Sequence, residues 1–137
     1  MQFKECYQNP FIEERADPYI TLGPDGFYYF TASYPMKSAD DKDGYDRVIL
    51  RRAKDISELA SAEEITIWKV ADTTLTHRFI WAPELHYIAG RWYVFYAGSE
   101  DKENNWAFDC HVLVCDSDDP YACLLYTSPC PRDRSVS

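Results

Sequence analysis

The pattern of apolar and polar positions along the chain predicts short β-strands and no long helix. Runs of β-branched and aromatic residues, separated by turns rich in glycine, proline and aspartate, are typical of antiparallel strands. Four such runs lie in the first half of the chain, at 19–22, 27–33, 46–52 and 65–70. The turn Gly23-Pro24-Asp25-Gly26 joins the first two runs as a hairpin, and residues 53–64 have room for a helical turn or two. We therefore expect one four-stranded antiparallel sheet over residues 18–70.

The same pattern returns about 65 residues further along the chain. Matching positions are Pro18 and Pro83, Tyr28 and Tyr93, Phe30 and Phe95, Ala32 and Ala97, and Val48 and Val112. The second copy has predicted strands at 84–88, 92–98 and 111–115. Repeated sheets with aromatic patterning are typical of β-propellers, which need at least about four blades to close into a ring. The sequence thus predicts an all-β fold, a β-propeller of which only the first blade (about 18–70) and most of the second (about 81–120) are present.

The last fifteen residues, 123–137, lose this pattern and are rich in proline, serine and arginine. They resemble the translated read-through of a transposase adaptor used in DNA sequencing libraries, and the alternative is a natural proline-rich tail. We expect residues 1–122 to form a partial propeller domain. Residues 123–137 are expected to be a non-native or disordered tail with few contacts and no regular strand.

Charge and composition exclude several classes of partner. The chain has 14 Lys and Arg against 23 Asp and Glu, a formal charge of −9, so a nucleic acid is a poor partner. It shows no run of about 18 apolar residues and no basic-then-apolar start, which predicts no membrane partner and a cytoplasmic location. Five cysteines without CxxC spacing favour free thiols in a reducing compartment, and no metal site is expected. They are Cys6, Cys110, Cys115, Cys123 and Cys130.

Two carboxylates lie beside the repeated prolines. Asp17 precedes Pro18 and Glu84 follows Pro83, so simple alternation along a strand makes them face the same way. Innermost strands of neighbouring blades converge at a propeller axis, where the two carboxylates could line one pocket. Paired carboxyl groups are what glycosidic hydrolysis needs. The alternative is that Asp17 caps a turn and that Glu84 pairs with Arg78 or Arg91.

Other side chains near these positions could contact a sugar. His86 has the parity of Glu84 and could donate to a sugar hydroxyl or to Glu84 itself. Aromatic faces stack on sugar rings, and Trp81, Phe11, Tyr34 and Trp106 lie beside the motifs or in loops. Most aromatic residues are nevertheless expected to pack between blades. The acidic run at 40–43 lacks the ligand series of a calcium loop and is predicted to be a solvated loop.

Five short motifs occur in order between residues 9 and 88. They are Asn9-Pro10-Phe11, Arg15-Ala16-Asp17-Pro18-Tyr19-Ile20, Gly26-Phe27-Tyr28-Tyr29-Phe30-Thr31-Ala32-Ser33, Arg51-Arg52-Ala53 and Trp81-Ala82-Pro83-Glu84-Leu85-His86-Tyr87-Ile88. Together they resemble the first two blades of glycoside hydrolase family 43, over residues 9 to about 120. The last motif looks most like members that act as α-L-arabinofuranosidases on arabinan or arabinoxylan. β-Xylosidases and endo-arabinanases of the same family are the near alternatives, and a non-catalytic carbohydrate-binding propeller is another.

The resemblance implies an inverting hydrolase with a five-bladed propeller. Three carboxyl groups act in such an enzyme: a general base on blade one, a pKa-modulating aspartate on blade three and a general-acid glutamate on blade four. Asp17 matches the base, and the other two lie beyond this chain, so the chain alone is expected to be inactive. An arabinose- or xylose-containing oligosaccharide is the expected partner. The expected substrate-binding residues are Glu84, Trp81, His86, Phe11 and Tyr34. No cofactor is expected, and the sequence does not indicate whether the complete propeller holds a structural calcium ion.

Overall fold

The chain folds into two antiparallel sheets. The computed structural model describes residues 7–37, 44–70, 78–100, 103–104, 106–125 and 127–128, so the acidic run at 40–43 falls outside it. The strands are β1 (Ala16–Leu22), β2 (Tyr28–Ser33), β3 (Arg47–Ala53), β4 (Ile65–Lys69), β5 (Arg78–Ile88), β6 (Arg91–Ser99), β7 (Phe108–Cys115) and β8 (Thr127–Ser128). Short 3₁₀ helices lie at Ile56–Ala60 and Pro120–Leu125 in the described part of the chain. No α-helix occurs in the described part of the chain, which confirms the predicted all-β class.

Each sheet is an up-and-down meander. The first has the order β1-β2-β3-β4 and the second β5-β6-β7-β8, as expected for two blades of a β-propeller. Each pair of consecutive strands within a sheet is antiparallel. The second sheet was predicted to have three strands and has a fourth, because Thr127 and Ser128 pair with Cys115 and Val114 of β7.

A shared apolar core packs the two sheets face to face. The first sheet contributes buried Tyr29, Leu50 and Trp68, and the second contributes Trp92 and Tyr96, among others. The Tyr29 and Trp92 rings meet edge to face with centroids 5.0 Å apart, and Trp68 and Tyr96 lie 5.3 Å apart. Such aromatic pairs contribute about 0.5–1.5 kcal/mol beyond the burial of their area.

The opposite face of the first sheet is also covered. Phe30 and Ile49 are buried in a second cluster with Leu59 of the 3₁₀ helix, and Phe11 and Ile12 pack against it. Successive residues of a strand point to opposite faces. The burial of both Tyr29 and Phe30 therefore places β2 inside the protein on both of its faces.

The residues after β7 depart from the sequence expectation. Cys123 was assigned to a tail with few contacts, but it is buried in the shared core and forms a disulfide with Cys115, with Cα atoms 5.6 Å apart. The 3₁₀ helix at Pro120–Leu125 turns the chain back to the end of β7, so the prediction of free thiols is wrong for this pair. Cys110 is a free, exposed thiol, and Cys6 and Cys130 lie outside the described residues. The domain boundary at residue 122 stays a prediction. No helix in the described ranges is long and apolar enough to cross a bilayer.

Candidate active site

The first strand of each sheet has a β-bulge formed by its proline and the residue before it. In β1, Ala16 pairs with Ser33 and Tyr19 with Thr31, so Asp17 and Pro18 lie opposite a single residue of β2. In β5, the residues between the Trp81 and Glu84 pairs form the same two-against-one arrangement. Asp17 and its counterpart Ala82 both have left-handed backbones, with φ of 51° and 47°. β1 and β5 contact each other, so the two bulges belong to one region of the molecule.

The bulges invalidate the expectation, based on regular alternation along a strand, that the side chains of Asp17 and Glu84 face the same way. A bulge interrupts the alternation of side chains, and the first regular residue after it is Tyr19 in β1 and Glu84 in β5. Glu84 is therefore the counterpart of Tyr19. Its exposed carboxylate lies 2.9 Å from His86 Nε2, and the His86 ring lies 5.2 Å from that of Tyr19. His86 thus contacts Glu84, which was one of its two predicted partners.

The Asp17 carboxylate is held at the junction of the two sheets. Ser33 Oγ, at the end of β2, donates to Asp17 Oδ2 at 2.9 Å. The backbone N–H of Ala82 in turn donates to Ser33 Oγ at 2.8 Å. Asp17 itself is exposed, so one carboxylate oxygen is fixed by the protein while the residue remains accessible to a ligand.

An ion-pair cluster anchors the chain immediately before β1. Arg15 binds both carboxylate oxygens of Glu64, and Arg51 Nε donates to Glu64 Oε2 at 3.0 Å. Burial works to raise the pKa of Glu64, but the hydrogen bonds and charges of the two arginines outweigh it, so the pKa is lowered. The Arg15 guanidinium also lies 4.2 Å from the Tyr34 ring centroid, and that of Arg47 lies 4.3 Å from it. The Tyr34 ring, predicted to bind sugar, is thus already in contact with two guanidinium groups.

A cluster of aromatic rings surrounds Trp81, beside the bulge of β5. Trp81 stacks on Phe108 with centroids 4.3 Å apart, and Tyr45 and Phe79 lie within 6 Å of it. Trp106, which is 78% exposed, lies 6.2 Å from Trp81. The indole Nε1 of Trp81 is buried and has no hydrogen-bond partner among the described residues. The cluster therefore offers an exposed ring beside an unused N–H donor.

The sequence identified only part of this cluster. Trp81 and Trp106 were predicted, whereas Tyr45, Phe79 and Phe108 were not, because they are brought together from three separate segments. Phe11 lies away from these rings. It packs on Tyr7 with centroids 5.4 Å apart and lines a cleft with Arg15 and Pro18. Within the described part of the chain, no group of three or more His, Cys, Asp or Glu side chains could hold a metal ion.

Comparison with known proteins agrees with this architecture. Residues 7–126 match the family described as "Glycosyl hydrolases family 43". Two proteins named "Extracellular exo-alpha-(1->5)-L-arabinofuranosidase" are each 41% identical to this chain in the aligned region. The one from Streptomyces avermitilis aligns with 83% of this chain and 22% of its own length, and the one from Streptomyces chartreusis with 84% and 32%. The crystal structure of α-L-arabinofuranosidase from Lactobacillus brevis is 37% identical and superposes with a TM-score of 0.72, covering 90% of this chain and 37% of that one.

Two stacked four-stranded sheets, whose bulged first strands contact each other, form part of a β-propeller. The chain belongs to glycosyl hydrolases family 43. It spans between about a fifth and a third of the length of the two curated Streptomyces relatives. The prediction of a cytoplasmic protein is wrong, because both of these relatives are named extracellular enzymes.

Proposed function

We propose that this chain is the base-bearing part of an α-L-arabinofuranosidase. The complete enzyme removes terminal arabinofuranosyl residues from arabinan or arabinoxylan oligosaccharides with inversion of configuration. Relatives 37–41% identical to the chain bear this name. The observation that carries the proposal is the position of Asp17, whose exposed carboxylate is fixed at the inner edge where the two blades meet. Because the two Streptomyces relatives are named extracellular, we infer that the enzyme acts outside the cell.

In this proposal Asp17 is the general base. It takes a proton from the water that attacks the anomeric carbon, while a carboxylic acid from another blade protonates the departing oxygen. In inverting enzymes the two carboxyl groups stand about 6.5–9.5 Å apart to leave room for that water. Ser33 holds Asp17 Oδ2, and no described residue donates to Oδ1. The Oδ1 atom is therefore the one that would accept the water proton.

The remaining predicted residues are proposed to bind the substrate. Glu84 and His86 are half-exposed and form a hydrogen-bonded pair, which suits recognition of sugar hydroxyls. Trp81 is proposed to contact the sugar with the partly exposed side of its ring, and the neighbouring Trp106 offers an exposed ring for stacking. Phe11 and Tyr34 are proposed to shape the pocket from blade one. Phe11 lines the cleft beside Pro18. The Tyr34 ring is held in place by the guanidinium groups of Arg15 and Arg47.

Substitution of Asp17 by asparagine in the complete enzyme tests the proposal. General-base catalysis contributes about 10²–10⁴ in rate, so Asp17→Asn should lower kcat by that factor and change KM far less. A 4-nitrophenyl α-L-arabinofuranoside is the substrate of choice, because its good leaving group reduces the need for the acid and makes the rate report on the base. NMR of the first product formed should show the inverted anomer. The 137-residue chain alone should release no product.

Asp118→Asn is the matched control. Asp118 is exposed and follows the C-terminal end of β7. The second sheet meets the Asp17 site at Ala82, which lies nearer the other end of that sheet. Asp118→Asn should therefore leave kcat and KM unchanged. If Asp17→Asn keeps the wild-type kcat and loses only affinity, Asp17 is a binding residue. A product with retained configuration would contradict the inverting mechanism, and preference for the corresponding xyloside would indicate a β-xylosidase.

A further inference from the structure

Ser33 lies between the two bulges and is hydrogen-bonded to both. Its hydroxyl donates to Asp17 Oδ2 at 2.9 Å and accepts the backbone N–H of Ala82 at 2.8 Å. Its side chain has no solvent exposure, which makes it one of three buried polar residues among those described. The large majority of buried polar groups in proteins are hydrogen-bonded, and the Ser33 hydroxyl has both a donor and an acceptor as partners. The hydroxyl therefore has one defined role in the native structure.

The two hydrogen bonds of Ser33 determine where its hydroxyl proton points. A serine hydroxyl carries a single proton and two acceptor lone pairs. Because the Ala82 N–H occupies a lone pair, the proton is free to point at Asp17. No solvent reaches Ser33, so water does not compete for either bond. The left-handed backbone at Ala82 is part of the bulge that places this N–H opposite Ser33.

We propose that Ser33 is a positioning residue that holds the Asp17 carboxylate in its catalytic orientation. The inference rests on the proposed function of Asp17 as general base. A side chain as exposed as Asp17 would otherwise sample several rotamers. Misplacement of a reacting group by about 1 Å lowers a rate by about 10². Through Ser33 the second blade orients the base of the first, so the base is correctly placed only when the two sheets are docked.

Four variants of the complete enzyme test the inference: Ser33→Ala, Ser33→Thr, Asp17→Asn and the double variant Ser33→Ala with Asp17→Asn. Ser33→Ala should lower kcat about tenfold or more with less than about a twofold change in KM. Ser33→Thr keeps the hydroxyl and should restore most of the rate. In the Asp17→Asn background Ser33→Ala should lower kcat no further, because it acts through the missing carboxylate.

A crystal structure of Ser33→Ala gives a measurement independent of activity. It should show Asp17 in a second rotamer or in several, whereas a crystal structure of the unsubstituted enzyme should show one. Ser57→Ala is the matched control, because the Ser57 hydroxyl also donates to an aspartate, Asp55 Oδ1 at 2.5 Å, in the exposed first turn of the 3₁₀ helix Ile56–Ala60. It removes a serine–aspartate hydrogen bond that does not involve either bulge and should leave kcat unchanged.

The outcomes separate the inference from the proposed function. Wild-type kcat in Asp17→Asn overturns both. An inactive Asp17→Asn enzyme together with wild-type kcat in Ser33→Ala overturns only the role of Ser33. The role of Ser33 is equally overturned if Ser33→Ala lowers kcat by the same factor in both backgrounds, or if its crystal structure leaves the Asp17 carboxylate in place.

Discussion

Glu64 accepts hydrogen bonds from two arginines that both precede it in the chain, by 49 and by 13 residues. Arg15 precedes β1 and binds both oxygens, and Arg51 comes from β3. All three side chains are less than 20% exposed. Arg51 also donates to the carbonyls of Leu59 and Ala60, so it ties the 3₁₀ helix to the sheet. The cluster fixes the approach of the chain to Asp17, two residues after Arg15.

Glu64→Gln should reduce the free energy of unfolding by about 2–3 kcal/mol at pH 7, because it leaves two partly buried guanidinium groups without their counter-charge. The lowered pKa of Glu64 gives the effect a pH dependence. A carboxyl whose folded pKa is depressed stabilises the protein above its unfolded pKa, near 4.5, and this stabilisation is lost as the pH falls through the folded pKa. Urea unfolding at several pH values should therefore show the difference between the two proteins shrinking below about pH 4.5.

Glu63→Gln is the control for this experiment, since Glu63 is exposed and adjacent in sequence. It should change the free energy of unfolding by less than about 0.5 kcal/mol. A Glu64→Gln difference that stays constant from pH 7 to pH 3 would show that the ion pairs contribute nothing specific.

At the residue scale, the sequence indicated Asp17 but not the group that orients it. Asp17 stands out because it precedes a repeated proline and belongs to a motif of the family. Ser33 also ends one of the family motifs, but the sequence gives no sign of its partners, because they come from β1 and from the second sheet. The disulfide was missed for a similar reason. Cys115 and Cys123 have no recognised spacing, and the 3₁₀ helix that joins them in space has no strong pattern of its own.

At the scale of elements, strand patterns predicted the sheets well and the bulges not at all. The four strands of the first sheet lie within about three residues of their expected limits. β5 begins at Arg78, six residues before the predicted start at residue 84. Register shifts on both sides of Trp81 interrupt the alternation there, so the periodic signal is lost where the strand continues. The bulge of β1 contains the left-handed residue Asp17, and that of β5 contains Ala82.

The hairpin between β5 and β6 offers a test of local backbone strain. Its two-residue loop is Ala89-Gly90, with φ of 49° and 81°, as in a type I′ turn, which favours Asn-Gly. Alanine tolerates the left-handed region poorly, so Ala89→Asn should stabilise the protein by about 0.5–1 kcal/mol. Ala89→Val should destabilise it, because a β-branched side chain is worse still at positive φ. Thermal and urea unfolding of the three proteins check the order, and a stabilising valine would contradict the argument.

At the scale of the whole molecule, three kinds of contact join the two sheets. The apolar core lies between them, and the backbone N–H of Ala82 in β5 donates to Ser33 Oγ in β2 at 2.8 Å. Arg52 of β3 reaches Asp119, beyond β7, with Nη1 and Oδ1 2.9 Å apart. Its guanidinium also lies 4.0 Å from the Tyr121 ring centroid. The sequence predicted that the sheets stack, because the repeat gives two copies of one unit. It did not predict the ion pair between Arg52 and Asp119, because Asp119 lies beyond β7, outside the repeated strand pattern.

Arg52→Ala should lower the free energy of unfolding by about 1–2 kcal/mol, the sum expected for a half-exposed ion pair and a cation–π contact. Arg52→Lys should recover part of this loss, because it keeps the charge but not the planar group that stacks on Tyr121. In a double-mutant cycle with Asp119→Asn, urea unfolding should give a coupling of about 0.5–1 kcal/mol that weakens in 1 M salt. Arg91→Ala, at an exposed arginine of β6, is the matched control and should have little effect. Zero coupling between Arg52 and Asp119 would leave the apolar core as the source of docking between the two blades.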